Sequence, residues 1–386
     1  MPPQCESVCV LWWYNQTMIS PGMTNIESQF VPNRNAFGFL RLCLAFGVLV
    51  SHSWVLGGFG VEPMWHFSQG KVTLGRFCVL CFFSISGFLV MRSLDKSSSV
   101  GHFVWRRAVR ILPPYWVSLA VCIFFFAPLY CWQEGYPVGA MVADHADSLT
   151  GFFTDNFWLR IRRWDIPPLL GTVPRRGYVN LSLWTLIYEM QCYLVLAVIG
   201  SFALKCGRAS IFLPFVFVVW LLGILHFNFA ATVSWFEQWP PWLWDVEVGF
   251  LFPYFFFGAL LFVFCAKIPC HWGICAFSVV MIVIGLRFNL MAFLGPPAVS
   301  YSVVWLAINL PHGLSWLDGR KDISYGFYIY AWPLQQALAL GHVQRFGIYW
   351  YVFASASGAA IFAVLSRILV ETPTLRLKSL RMSVFR

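Results

Sequence analysis

Arg41 and His52 bound the run RLCLAFGVLVSH, eleven residues apart in an otherwise apolar stretch. On a helix that step is about 16 Å of rise and about 1100° of rotation, some 20° past three turns, so both side chains share one stripe. An ionisable group at the centre of a bilayer costs roughly 3 kcal/mol, so such groups face a protein interior or a wet cavity and carry function. An imidazole there is a candidate general base; it is equally a satisfied interior histidine. A third ionisable residue, Glu189, interrupts NLSLWTLIYEMQCYL. His52 and Glu189 each fall about two turns from the same end of their spans. At matched depth a carboxylate would orient the imidazole and stabilise its protonated form, as the acid does in hydrolase triads. The alternative for Glu189 is a structural pairing with an arginine or hydroxyl inside the bundle.

Basic residues form the next group. In FVWRRAVRILPPYW, Arg107 and Arg110 are three apart and neighbours on one helical face, with Pro113 and Pro114 suited to a helix start or kink. Such a ledge either anchors the chain at lipid phosphates or holds a phosphate-rich ligand, since guanidinium groups bind phosphate bidentately. In FCVLCFFSISGFLV, Ser84, Ser86 and Gly87 are small residues that either let membrane helices approach closely or border a channel. Cys78 and Cys81 form a lone CxxC inside an apolar run, with no second pair, so no metal site is expected.

These residues need elements to position them, and composition names the kind. Hydrophobic residues make up 59% of the chain and charged ones 11%, whereas soluble domains carry about 25% charged residues. The expected fold is all-α: a polytopic membrane protein with spans of about 20 apolar residues near 36–57, 74–92, 111–130, 182–201, 210–227, 247–266, 271–288, 298–315, 323–341 and 348–369. The eighth is interrupted by Asn309, Pro311 and His312.

Most of the 26 Lys and Arg fall on one side of these spans, among them Arg34, Arg41, the run 92–110, Lys205, Arg208, Lys267, Arg320, Lys321 and the basic tail. That bias places both termini in the cytoplasm. The formal net charge of +10 is then a membrane-orientation signature, and no nucleic-acid partner is invoked. The segment 1–34 is polar, and Met23 opens a natural lead into the first span, so the true start is expected there. Residues 35–375 form the membrane domain with an outer loop at 131–181, and 376–386 a basic cytoplasmic tail. In that loop Arg160, Arg162, Arg163, Arg175 and Arg176 are balanced by Glu134, Asp144, Asp147, Asp155 and Asp165. Trp158 and Trp164 there either stack on sugar faces or belong to an interfacial aromatic belt.

Absent motifs narrow the chemistry. There is no GxxxxGK[ST] for nucleotide hydrolysis, no GxSxG serine elbow, and no histidine followed by an aspartate five residues on. A transporter or flippase of a lipid-linked or acylated molecule would also use a charged stripe, but the two halves show no clear repeat of the kind transporters often carry.

Taken together, Arg41-x10-His52, FFSISGF (82–88), RRAVRILP (106–113), LWTLIYE (183–189), ISYGFYIYAWPL (323–334) and VETP (370–373) resemble the acyltransferase-3 family of bacterial membrane O-acyltransferases. They occur in the family's order and span about 35–375. One departure is Ala331, where many relatives place a histidine. The resemblance implies transfer of an acyl group, usually acetyl, from acetyl-coenzyme A to a hydroxyl of an envelope polysaccharide or other glycoconjugate at the inner membrane. Acyl-coenzyme A is then a cosubstrate, with no bound cofactor or metal; a glycan or glycolipid acceptor and membrane lipids are the other partners. Carried over by motif, His52 is the catalytic histidine, Arg41 its partner and Glu189 a site residue. Arg107 and Arg110, with Arg106 beside them, form the donor side, while Ser84, Ser86, Gly87 and Tyr325 line the channel. His52 would act either as a general base toward the acceptor hydroxyl or as a nucleophile that is acylated first.

Overall fold

A computed structural model describes residues 24–32, 34–139, 149–205, 209–228, 245–317 and 321–376. The readings made for Met23 and the segment before it, for Asp144, Asp147, Arg208 and Arg320, and for the tail beyond 376 fall outside the described residues.

The described residues form an all-α membrane protein without a β-strand. Ten helices carry the architecture: α1 (Phe37–Leu56), α2 (Leu74–Asp95), α3 (Val100–Val121), α4 (Leu186–Lys205), α5 (Ala209–Asn228), α6 (Val246–Val263), α7 (Trp272–Arg287), α8 (Met291–Asn309), α9 (Ser324–Leu340) and α10 (Ile348–Ser366). Among the described residues seven stretches are long and apolar enough to cross a membrane, and those around α5 and α7 are shorter apolar helices. α3 continues through a π-helical turn, Cys122–Phe126, into Ala127–Glu134; α10 likewise continues through Arg367–Glu371 into Thr372–Arg376.

Eight helices lie close to their expected spans; the third and the eighth do not, the third beginning at Val100 where 111 was expected. The eighth is the clearer case. It was expected at 298–315 and runs instead from Met291 to Asn309, taking Pro296 and Pro297 into its interior. A proline lacks the N–H that would bond the carbonyl four residues back. For Pro296 that carbonyl is Ala292 O, and Trp220 Nε1 fills it at 3.0 Å. A neighbouring side chain thus satisfies the freed acceptor, as required where no water reaches. Pro113 and Pro114 also lie inside α3 rather than at its start, so the basic run 106–110 and the apolar run after it are one helix.

The chain divides into two compact units. The first, Met1–Asn35, Leu80–Val104 and Gln191–Pro311, packs α7 on α8, α5 on α6 and α6 on α8. Here Gly87 has a strict packing role. A Cβ on it would lie 1.8 Å from Phe255 O, and one on Gly258 would lie 2.0 Å from Ser84 O, so the two backbones touch through paired glycines. The second unit, Ala36–Val79, Trp105–Met190 and His312–Arg386, has α9 at its centre, packed on α1 and α10. Most of α9 is buried, Gln335 and Gln336 included.

Candidate active site

The second unit holds Arg41, His52, Arg106, Arg107, Arg110 and Glu189. α1 and α9 run parallel, and two contacts join them like rungs. At the first, Arg41 Nη1 donates to Asp322 Oδ2 at 2.8 Å, with side chains only 14% and 10% exposed. Arg110 Nη2 on α3 stands 3.8 Å from the same oxygen. The other oxygen, Oδ1, accepts from Ser324 N at 2.9 Å and Ser324 Oγ at 2.6 Å, which fastens the carboxylate to the first turn of α9. Burial pushes the Asp322 carboxyl upward; Arg41, Arg110 and the two Ser324 hydrogen bonds more than offset it, so its pKa lies below the ordinary aspartate value.

At the second rung His52 meets Trp332 edge to face, with ring centroids 4.7 Å apart and planes at 79°. Trp332 is buried and donates Nε1–H to Tyr178 O at 3.0 Å. Around it Gln335 Nε2 donates to Leu49 O (3.0 Å) and Ser53 Oγ (2.8 Å) on α1, either side of His52. Gln336 Nε2 donates to Arg175 O and Tyr178 O in the preceding loop, and Tyr351 of α10 donates to Gln335 O at 2.6 Å. His52 is therefore held by packing against Trp332, on a helix that Gln335 grips. Its Nδ1 is buried and meets no hydrogen-bond partner, while the residue as a whole keeps partial exposure.

Glu189 does not join that rung. It makes no hydrogen bond or ion pair to His52 and acts electrostatically on Tyr325 and Tyr328, nearer the start of α9. The expected His52–Glu189 dyad is thus not formed. The cause is the register of the segment before α4: Asn180 Nδ2 bonds Ile329 O and Thr185 Oγ1 pairs with Tyr328 Oη, which carries Glu189 past His52 toward the first rung. Ile329 O is free for Asn180 because Pro333, four residues on, has no N–H to give.

Arg106, Arg107 and Arg110 all stand on α3. Arg107 is buried, Arg106 and Arg110 are half-buried, and Arg110 joins the ledge to Asp322. Tyr325 Oη donates to Ile111 O at 3.2 Å, one residue past Arg110. Glu371 of the VETP run pairs with Arg367 at 3.1 Å and acts electrostatically on Arg110 and Asp322. In the first unit Ser84 is buried and accepts from Ser300 Oγ at 3.0 Å, Ser86 is half-buried, and Gly87 makes the contact already described. That geometry is the packing alternative for Ser84 and Gly87.

Asp322, Trp332 and Gln335 were missed as site residues. The one available signal for Asp322 was an acid placed directly before an apolar span; nothing local pairs it with Arg41, 281 residues away.

The second unit thus carries a half-buried histidine on the same helix as a paired arginine, near three further arginines of α3. The chain belongs to the acyltransferase domain family, which matches residues 34–367. It is 30% identical over 362 residues to a protein named O-acetyl transferase from Shigella phage Sf6, covering 91% of this chain and 98% of that protein. It is also 27% identical over 373 residues to Nodulation protein 10 of Rhizobium leguminosarum bv. viciae, covering 90% and 95%. No solved structure matches it significantly.

Proposed function

We propose that this protein is an inner-membrane O-acetyltransferase, with both termini cytoplasmic, that moves acetyl from acetyl-coenzyme A to a hydroxyl of an envelope polysaccharide or related glycoconjugate. The observation that carries the reading is the pair of rungs on α1: a histidine held by packing at one, and at the other an arginine joined through Asp322 to the basic ledge. The two lie about 16 Å apart along the helix.

Coenzyme A is polyanionic, so its phosphates suit Arg106, Arg107 and Arg110, with the thin pantetheine arm reaching toward His52. His52 acts as neutral base. It takes the proton of the acceptor hydroxyl as that oxygen attacks the thioester carbonyl, and returns it to the thiolate that leaves. No carboxylate meets Nδ1; packing against Trp332 fixes the orientation of the imidazole in place of an acid.

The test is ester-linked acetate on envelope polysaccharide, released by mild base and measured by mass spectrometry. A deletion strain is complemented with wild type or His52→Ala, the variant being matched for amount in the membrane. Acetate that returns only with wild type is the expected result. Acetate that returns equally with both removes His52 from the chemistry, and acetate unchanged by the deletion removes the acetyl-transfer reading.

A further inference from the structure

We infer that Asp322 is a positioning residue of the acyl-transfer site, acting through Arg41 and Arg110 to lock α1 in register on α9 and so to set where His52 stands. The inference rests on the acetyl-transfer reading for the chemistry that the register serves, and on geometry for the register itself. Asp322 spends both carboxylate oxygens. Oδ1 is fixed to the backbone and hydroxyl of Ser324, and Oδ2 faces Arg41 at 2.8 Å and Arg110 at 3.8 Å. One anion so placed makes three elements, α1, α3 and the start of α9, agree on a single arrangement. Two guanidiniums against one carboxylate leave the group net positive, so the clamp does not cancel the attraction of the ledge for phosphate.

The spacing gives the clamp its purpose. Arg41 and His52 are eleven residues apart on α1, and Asp322 and Trp332 are ten apart along the chain entering α9. Because the helices run parallel, making the first rung brings His52 to Trp332 at the second. Gln335, bound to Leu49 O and Ser53 Oγ, completes the same register. Arg41 uses Nη1 on Asp322, and its Nε is buried without a partner. Through Asp322 it is tied to the start of α9, and the arginine-x10-histidine spacing is the length between two rungs. A slip of 1 Å at a reacting centre costs about a hundredfold in rate.

The experiment uses the full chain in native membranes and in detergent, as wild type, Asp322→Asn, Arg41→Ala, the double variant, and the milder Asp322→Glu and Arg41→Lys. Two quantities are read: acetyl transfer per mole of protein at saturating acetyl-coenzyme A, and the rate of carbethoxylation of His52 followed by peptide mass spectrometry. Asp322→Asn and Arg41→Ala are each expected to lower transfer about a hundredfold. The double variant should fall no more than about threefold further, since the two act as one unit. Carbethoxylation of His52 should quicken about tenfold in both single variants, the factor that 1.4 kcal/mol of added local opening gives, and Asp322→Glu should recover part of each change. Losses that multiply in the double variant, or a His52 labelling rate unchanged in Asp322→Asn, overturn the inference. If wild type transfers no acyl group but labelling of His52 still responds to both Asp322 and Arg41, the functional reading falls and the register clamp stands.

Discussion

Trp332 is the partner that His52 has in place of an acid, so removing its ring should cost more activity than its distance from the basic ledge would predict. In Trp332→Phe an aromatic ring against His52 is kept, and the indole N–H to Tyr178 O is lost. That carbonyl keeps a second donor, Gln336 Nε2 at 3.0 Å, so no buried acceptor is stranded. The cost is then one net hydrogen bond, about 1 kcal/mol, and transfer should stay within about tenfold of wild type. Trp332→Leu stays apolar but is smaller than the indole, so it leaves a cavity and also loses the aromatic pair, worth about 0.5–1.5 kcal/mol beyond its buried area. It should lose more transfer than Trp332→Phe at equal abundance. Trp332→Ala empties a fully buried site, costs about 3–5 kcal/mol of stability, and frees His52 to move by an ångström or more, with about a hundredfold loss of transfer. The assay is acetate transfer in membranes matched for protein amount, with thermal unfolding in detergent measured alongside. Equal transfer by wild type and Trp332→Leu, at equal abundance, would refute the reasoning, because it would mean that the ring does nothing for the imidazole.

Two further outcomes follow from the same geometry. The Asp322 carboxyl is held below its ordinary value, so it binds protons less readily folded than unfolded; its contribution is complete above the ordinary value and is lost as pH falls through the lower, folded one. Wild type should therefore lose more thermal stability than Asp322→Asn on acidification from neutral pH, and parallel curves would count against the ion pair. Asn180→Ala removes the donor to Ile329 O, the carbonyl left open by Pro333, and the acceptor for Ser182 N. A stranded buried acceptor costs about 1–3 kcal/mol. A lowered unfolding temperature together with altered coupling of Glu189 to Tyr328 is expected, read by thermal unfolding and by transfer rate.

The span pattern was legible because a bilayer imposes it: an apolar run of fixed length is a local property of the chain, and eight of the ten helices fall where such runs were counted. α8 shows where local reading stops. Its two prolines look like a boundary along the chain, yet Trp220 from another helix fills the open carbonyl and lets the helix run through them. The stripe shared by Arg41 and His52 and the shared face of Arg107 and Arg110 were also local, fixed by the pitch of one helix.

What the sequence by itself determined was which residues carry charge in apolar surroundings and how they repeat along each helix, since both follow from composition and a known rise per residue. Which residue meets which was decided only in three dimensions. Glu189 and His52 have matching depths in their own spans, but depth does not fix the register of one segment against another. Hydrogen bonds from Asn180 and Thr185 to α9 set that register and carry Glu189 to the tyrosines. Arg41 reaches Asp322 across 281 residues, and His52 reaches Trp332 across 280, by contacts that depend on the packing of whole helices and on no pattern within either of them.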